Sequence, residues 1–496
     1  MAEVEKNVVN EEIREDDSGS YHPQKDYLGN LTKRLLNDCI RSPWGQVCVI
    51  AFVCFCCPGM YNALTGMGGS GQVDPTAAAN ASVALLSVGA VTGVFLAGPL
   101  VSLIGPRNSI MMGGWTYALY SGSLFNFNHR LNSAFVIASG ALLGLGANLL
   151  WIPQGMIMTT YVKERHRGRA IALFWVIFNL GGGIGSLASL GINYYSVEAT
   201  VTDSTYIAYI VIMLFGWVFG SLLICDVTQL NEKFSGQRVS KVKQQHGEAF
   251  SFSKIKDTAL FTFSVLSDWK LLCLIPMFFY ANVFYSYQQN SVNGMTFNVR
   301  TRSLNSALYW MSQMIGGIVI GGFLDLHKIS RRRRAIFGWI QLLVVGMVIW
   351  GGGLKFQLWN DKRTAKGLIQ DIDFKDSNYI GPMFLYIFYG GYDALWQGYC
   401  YWLIGLKSKS PAVGGVIVGC YKTMQCVGGA MAWRINATGV SPMKQLAMNW
   451  GLTGGALLIA LPSILLFVSN EREDIDIEKD SGVDQNSGES TETNKV

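Results

Sequence analysis

Apolar stretches of about 20 residues recur along this chain, each closed by a shorter polar interval, and a helix of that length crosses a bilayer. Twelve such windows lie near 44–66, 79–103, 107–127, 131–157, 169–193, 205–226, 268–290, 303–325, 335–354, 379–406, 412–434 and 445–468. A polar segment at 227–267 separates the sixth from the seventh and is far longer than an ordinary connection. The first 43 residues are polar, and from Asn470 the chain is acidic and serine-rich. The pattern predicts an all-α polytopic membrane protein with twelve transmembrane helices in two pseudo-symmetric six-helix bundles. Its expected divisions are a cytoplasmic polar tail at 1–43, a first bundle at 44–226, a cytoplasmic linker at 227–267, a second bundle at 268–468 and an acidic disordered tail at 469–496.

Charge refines this picture. Only 15% of the residues are charged, against about 25% in a soluble domain, so where the charges fall matters more than their sum. With the amino terminus inside, the inner loops hold Arg107; Lys163, Arg165, Arg167 and Arg169; the run from Lys233 to Lys256; Lys328 and Arg331 to Arg334; and Lys407 and Lys409. The outer loops hold Arg130, Arg300, Arg302, a mixed-charge stretch from Lys355 to Lys375, and Lys444. The loops after the first and fifth spans carry no basic residue. This bias predicts that both termini are cytoplasmic, in the plasma membrane or an endomembrane such as the vacuole or ER. The net charge of +6 is therefore no signature of nucleic-acid binding.

The chemistry of enzymes is missing from the pattern. Cys54, Cys56 and Cys57 stand in an apolar run with no histidine nearby, which reads as small core residues and not as a metal set. Cys39, just before the first span, is a candidate for palmitoylation. NLGGGIGS at 179–186 lies inside a span, follows no strand and has no lysine, which rules out a phosphate loop. The expectation is no catalytic residue, no metal and no cofactor. The expected partners are the lipid bilayer, a small solute or ion, and another membrane protein.

Two halves invite a search for echoes. GPLVSLIGPR at 98–107 follows the second span, and GGFLDLHKISRRRR at 321–334 follows the eighth. Gly98 matches Gly321, Ser102 matches Asp325, and basic residues follow in both; Gly105 and Arg107 complete the first copy. This placement resembles the signature loop of the major facilitator superfamily, G-x-x-x-D-R-x-G-R-R. The first copy has Ser102 where the aspartate belongs, and the second lacks the inner glycine. NLLWIPQG at 148–155 parallels DALWQG at 393–398, and a third echo sets Asn179 opposite Lys422.

Asp393 and Lys422 lie near the midpoints of the tenth and eleventh spans, at equal distance from the short loop that joins them. An unpaired charge at that depth costs at least about 2.5–3.5 kcal/mol on insertion scales. An intramembrane charge pair, direct or through water, relieves the cost. Such a pair orders the bundle or couples transport; separate satisfaction of the two charges is the third reading. The corresponding first-half positions, Asn148 and Asn179, are neutral. Further candidate cavity-facing polar residues are Tyr61, Asn62, Gln154, Asn282, Gln288, Gln289, Gln397 and Gln425. Asn80 and Asn436 sit in glycosylation sequons near the outer ends of spans.

CCPGMYNALTGMGGSG in the first span and the stretch from Gly144 to Ser186 resemble the Unc-ninety-three-like branch of the same superfamily, in its fungal form. The residues that carry this are Pro58, Gly59, Ala63, Leu64, Gly66 and Gly68, then Trp151, Gln154, Gly155, Tyr161, Gly168, Phe174, Trp175, Phe178, Asn179 and Gly185. GGYDALWQ also looks like this branch. The resemblance implies twelve helices, with the first, fourth, seventh and tenth facing a central cavity. It leaves two activities open. One is a secondary transporter that moves a small solute or ion by alternating access, with Asp393 exchanging a proton. The other is an accessory subunit or trafficking chaperone of a membrane protein such as an ion channel.

Overall fold

The computed structural model describes residues 39–72, 75–93, 98–162, 167–195, 200–226, 229–230, 260, 263–324, 326, 328–407 and 411–468. Both tails, most of the linker, and Lys163, Arg165, Asp325 and Lys409 fall outside the described residues, as do the expectations attached to them. Within that range the chain is helical, apart from turns and one isolated bridge between Phe297 and Ile372. Lipid offers no partner to a backbone N–H or C=O, so a crossing segment must satisfy its own, and the helix does so.

The first half comprises α1 (Pro43–Cys56), α2 (Pro58–Gly66), α3 (Thr76–Thr92), α4 (Gly98–Gly113), α5 (Trp115–Arg130), α6 (Ser133–Met156), α7 (Arg167–Ile192) and α8 (Asp203–Leu223). The second comprises α9 (Trp269–Leu272), α10 (Ile275–Tyr280), α11 (Phe284–Ser286), α12 (Val299–Leu324), α13 (Arg331–Thr364), α14 (Ile380–Lys407), α15 (Pro411–Ala437) and α16 (Pro442–Phe467). Among the described residues seven helical segments are long and apolar enough to cross a membrane. α14 and α15 are longer than most of these, but their tyrosines and glycines dilute their hydropathy.

The helices gather around two cores. One is built from first-half residues such as Ile50, Tyr120, Tyr206 and Tyr209, the other from Tyr280, Trp350, Trp396 and Tyr399. Cys54, Cys56 and Cys57 are buried in the first. Gln46, fully buried, ties the start of the first half to its end: its amide donates to Leu223 O at 3.0 Å and its oxygen accepts from Cys225 N at 3.0 Å.

Two seams join the halves, α7 against α12 and α3 against α15. Glycine makes the close approach possible. At Gly182 a Cβ would stand 2.9 Å from the Trp310 ring, and Gly89 faces Cys426. Gly216 and Gly220 pack against Cys56 and Val53 in the same way. Gly317, Gly321 and Gly419 have nothing within 4 Å, so the packing role that four-residue glycine spacing suggests does not extend to them.

Three elements depart from the hydropathy reading. The seventh span is not one helix: α9, α10 and α11 are separated by turns, with Pro276 at the start of α10, and run into a wide-turn segment at Tyr287–Gly294. The ninth span continues past its apolar window, because α13 runs 34 residues to Thr364. Its extension buries Phe356, Gln357 and Asn360 on one face, and Tyr287 donates to Gln357 at 2.8 Å. The charged residues there therefore lie on a helix and not in a loop. The turn between the second and third spans is a corner inside α4 at Gly105, with φ 80° and ψ 166°.

That corner lies in a backbone region nearly reserved for glycine, and other residues there cost on the order of 1–3 kcal/mol. A Cβ at Gly105 would also sit 2.6 Å from Asp226 Oδ1. We expect Gly105→Ala to lower the thermal unfolding midpoint of the purified protein by several degrees. Gly321→Ala, with open space around it, should leave the midpoint unchanged.

Candidate functional site

Asp393 is 1% exposed on α14 and is enclosed by neutral donors. The Tyr285 hydroxyl donates to Oδ2 at 2.6 Å and Tyr309 at 3.3 Å. The Gln313 amide donates to the same oxygen, and Gln397, one turn along α14, donates to Oδ1 at 3.3 Å. Gln397 extends the network. Its amide donates to Ala281 O at 2.8 Å, and its oxygen accepts from Gln425 at 2.8 Å and from the Tyr421 hydroxyl. The single Tyr309 hydroxyl proton is shared between Asp393 and the nearer Gln288 Oε1, 2.9 Å away. Three helical elements of the second half thus converge on one carboxyl, and α15 joins them through Gln397.

Asp393 and Lys422 make no direct ion pair. Lys422 is exposed and makes no ion pair among the described residues. Its ammonium stands 5.6 Å from the ring centroids of both Tyr401 and Tyr421. Equal distance from the loop speaks to depth, and depth does not set direction. One residue along a helix turns a side chain by about 100°. Tyr421 points to Gln397 and the carboxyl, and Lys422 turns away from them.

The other candidates divide. Gln288, Gln289, Gln397 and Gln425 are in or beside the buried network of the second half. Asn148 is a packing residue: its amide donates to Gly89 O and to Thr92, each at 2.9 Å, across the α3–α6 contact. Asn179 is buried with its Oδ1 unpartnered. Tyr61 packs against Tyr117 and Tyr120, and Asn62 contributes its backbone carbonyl to Trp310 at 3.1 Å. Gln154 and Asn282 are half-buried. In the signature loop, Gly98 opens α4, and Arg107 donates to Ser221 O at 2.8 Å. Asn80 accepts from Arg434 at 3.2 Å. The Asn436 oxygen accepts from Asn290 at 2.8 Å and its amide donates to Gln445 at 3.1 Å.

Tyr285, Tyr309 and Gln313 escaped the sequence reading. Asn305, Tyr309 and Gln313 recur every four residues on α12, a polar stripe that the spacing alone would have marked.

At the end of the bundle away from the α14–α15 loop, the halves are bolted together. Arg302, 1% exposed, donates to Met67 O at 2.6 Å and Gly68 O at 2.5 Å. Asn293 donates to Gly66 O at 2.8 Å, and Gly69 N donates to Asn290 at 2.7 Å. Ser189 meets Ser303 at 3.0 Å, and Ser186 meets Ser306 at 2.8 Å. Gly68 has φ 76°, and a Cβ there would lie 2.2 Å from Gln289 O. Nearer the other end, Trp175 on α7 and Tyr401 on α14 touch across the halves, with ring centroids 6.4 Å apart.

Residues 40–433 match the family model of the Major Facilitator Superfamily. UNC93-like protein 1 of Arabidopsis thaliana is 42% identical over 440 residues, covering 87% of this chain and 92% of the relative. The chain belongs to the UNC93-like family of the major facilitator superfamily. An UNC93-like protein of Schizosaccharomyces pombe is 39% identical over 420 residues, covering 84% of this chain and 81% of the relative. The crystal structure of a D-xylose-proton symporter superposes with a TM-score of 0.59 at 14% identity, covering 86% of this chain and 97% of that one. This UNC93-like chain is therefore a transporter-like multi-pass membrane protein.

Above the bolted end of the UNC93-like fold, the 365–379 segment folds back as a strap. Asp373 accepts from Arg300 Nε at 2.5 Å and from Asn298 at 2.6 Å, and Arg300 lies over the rings of Tyr194 and Phe374. Burial pushes the Asp373 carboxyl up, but the hydrogen bonds from Arg300, Asn298 and the Lys375 backbone outweigh it and hold the pKa below its ordinary value. A depressed folded pKa adds stability that is complete above the unfolded value, about 4, and is lost as pH falls through the folded one. Thermal melts between pH 3 and 7 should show the wild type losing stability at the acid end relative to Asp373→Asn. Parallel curves would remove the strap from this role.

Proposed function

We propose that this protein is a secondary carrier that moves a small solute by alternating access, with Asp393 as its proton-exchanging carboxyl. The observation that supports this most is the cage around Asp393. No cation lies within ion-pair distance of the carboxyl among the described residues, so protonation breaks no direct ion pair. Tyrosine hydroxyls donate or accept, and glutamine offers both an N–H and a C=O. The cage can therefore serve a carboxylate as acceptor and a carboxylic acid as donor by turning its own groups, without moving a helix. A structural ion pair would not leave that freedom. The half-buried Tyr285 links the carboxyl to less enclosed surroundings.

The bolted end supports the second element of the reading. In the carrier cycle the contacts of Arg302, Asn293 and the serine pairs break together as the halves rock. In this reading, supported by the bias of basic residues among the loops, that end faces outward, the carrier is closed on the outer side and both termini are cytoplasmic.

Two experiments test the reading. In proteoliposomes, Asp393→Asn should cut proton-coupled flux by at least about tenfold, the effect of about 1.4 kcal/mol, while the purified variant keeps its thermal midpoint. Normal flux by that variant removes Asp393 from coupling. Replacing Ser189 and Ser303 by cysteine, where the hydroxyls lie 3.0 Å apart, should yield a cross-link that stops flux until a reductant is added. If the wild type moves nothing and a second membrane protein co-purifies in fixed ratio, the accessory reading takes its place.

A further inference from the structure

We propose that the solute is a small organic anion whose negative group is held by Lys422; this rests on the carrier reading above. The direction in which Lys422 points is the first support. Cys426 is one turn further along α15 and meets Gly89 of α3, and Gly429, nearly two turns along, meets Leu86. Positions 422, 426 and 429 share one face of the helix. Lys422 therefore faces the first half and not the lipid, and it is exposed there.

Charge is the second support. The acid at its depth, Asp393, is enclosed behind Gln397 and is satisfied by neutral donors. That leaves a cation at the boundary between the halves, with tyrosine rings as its neighbours. An anion beside it removes the cost of holding a bare charge in mid-membrane. With a proton on Asp393, anion and proton cross together and carry no net charge against the membrane potential.

The third support lies across the boundary. Tyr401, one of the two rings beside the ammonium, also touches Trp175 of α7, which links the surroundings of Lys422 to the first half. One turn on from Trp175, Asn179 is 5% exposed and its Oδ1 has no partner. The α7–α12 seam pairs Ser189 with Ser303, Ser186 with Ser306 and Gly182 with Trp310. The same antiparallel step sets Asn179 level with Gln313, the donor to Asp393. A buried amide left unsatisfied at a moving seam is a costly group unless a bound molecule completes it. The solute is thus an anion with a flat or apolar body and a polar substituent.

Binding of three probes of matched shape tests this on the purified full-length protein: benzoate, benzamide and benzylammonium. Benzoate should raise the thermal midpoint saturably, and the other two should not. Lys422→Gln should weaken benzoate by at least about tenfold, roughly 1.4 kcal/mol, and Lys422→Arg should retain it. Absence of a saturable benzoate effect in the wild type overturns the proposal, as does equal binding of benzylammonium or unchanged benzoate affinity in Lys422→Gln. The wild-type comparison decides even if the glutamine variant fails to fold. Because no flux is measured, these outcomes leave the carrier reading to the Asp393→Asn experiment.

Discussion

A carboxyl group withdrawn from water needs a replacement for each hydrogen bond that it leaves behind. Around Asp393 the replacements come from Tyr285, beyond the break that ends α10, from Tyr309 and Gln313 on α12, and from Gln397 on its own helix. None of these donors is close to another in sequence except the pair on α12. Satisfying one buried acid therefore fixes the relative height and rotation of the seventh, eighth and tenth spans. Through Tyr421 and Gln425 it fixes the eleventh as well. The packing of Trp396 on Tyr280, 4.8 Å between centroids, follows the same alignment.

The two halves have used their matching positions differently. Asn148 in the first half has become a brace between α3 and α6, bonded to Gly89 and Thr92. Asn179, the counterpart of Lys422, has no such employment. Among the described residues the acid and base at mid-depth, Asp393 and Lys422, both belong to the second half, while the first supplies neutral amides and aromatic faces at the matching positions. The pseudo-symmetry is one of backbone architecture, and the chemistry has been left to one side.

Much of this was legible in the order of residues. Apolar windows marked the spans, because lipid rewards length and hydropathy directly. The signature-loop echo through Gly105 and Arg107 placed a turn after the second span, and its corner falls at Gly105, because glycine suits that backbone region. The depth of Asp393 and Lys422 followed from counting outward from their loop. What could not be counted was rotation: a single-residue step separates a side chain facing Gln397 from one facing α3. The donors Tyr285 and Tyr309 were hidden for another reason, since a tyrosine in an apolar run reads as core until its hydroxyl is placed. The break in the seventh span and the extension of the ninth depend on tertiary burial, which hydropathy does not record.

The length of α13 has a mechanical consequence. Its 34 residues rise about 51 Å, against a hydrocarbon layer of about 30 Å, so roughly two-fifths of it, about 21 Å, stands clear of the lipid as a mast. Arg363 at its tip bonds Asp371, and the strap beyond is fastened to the start of α12 through Asp373 and Arg300. A tilt of about 10° at the membrane would carry the head of such a mast sideways by about 4 Å. A label placed there would magnify any rocking of the second half into a displacement easily seen by distance spectroscopy.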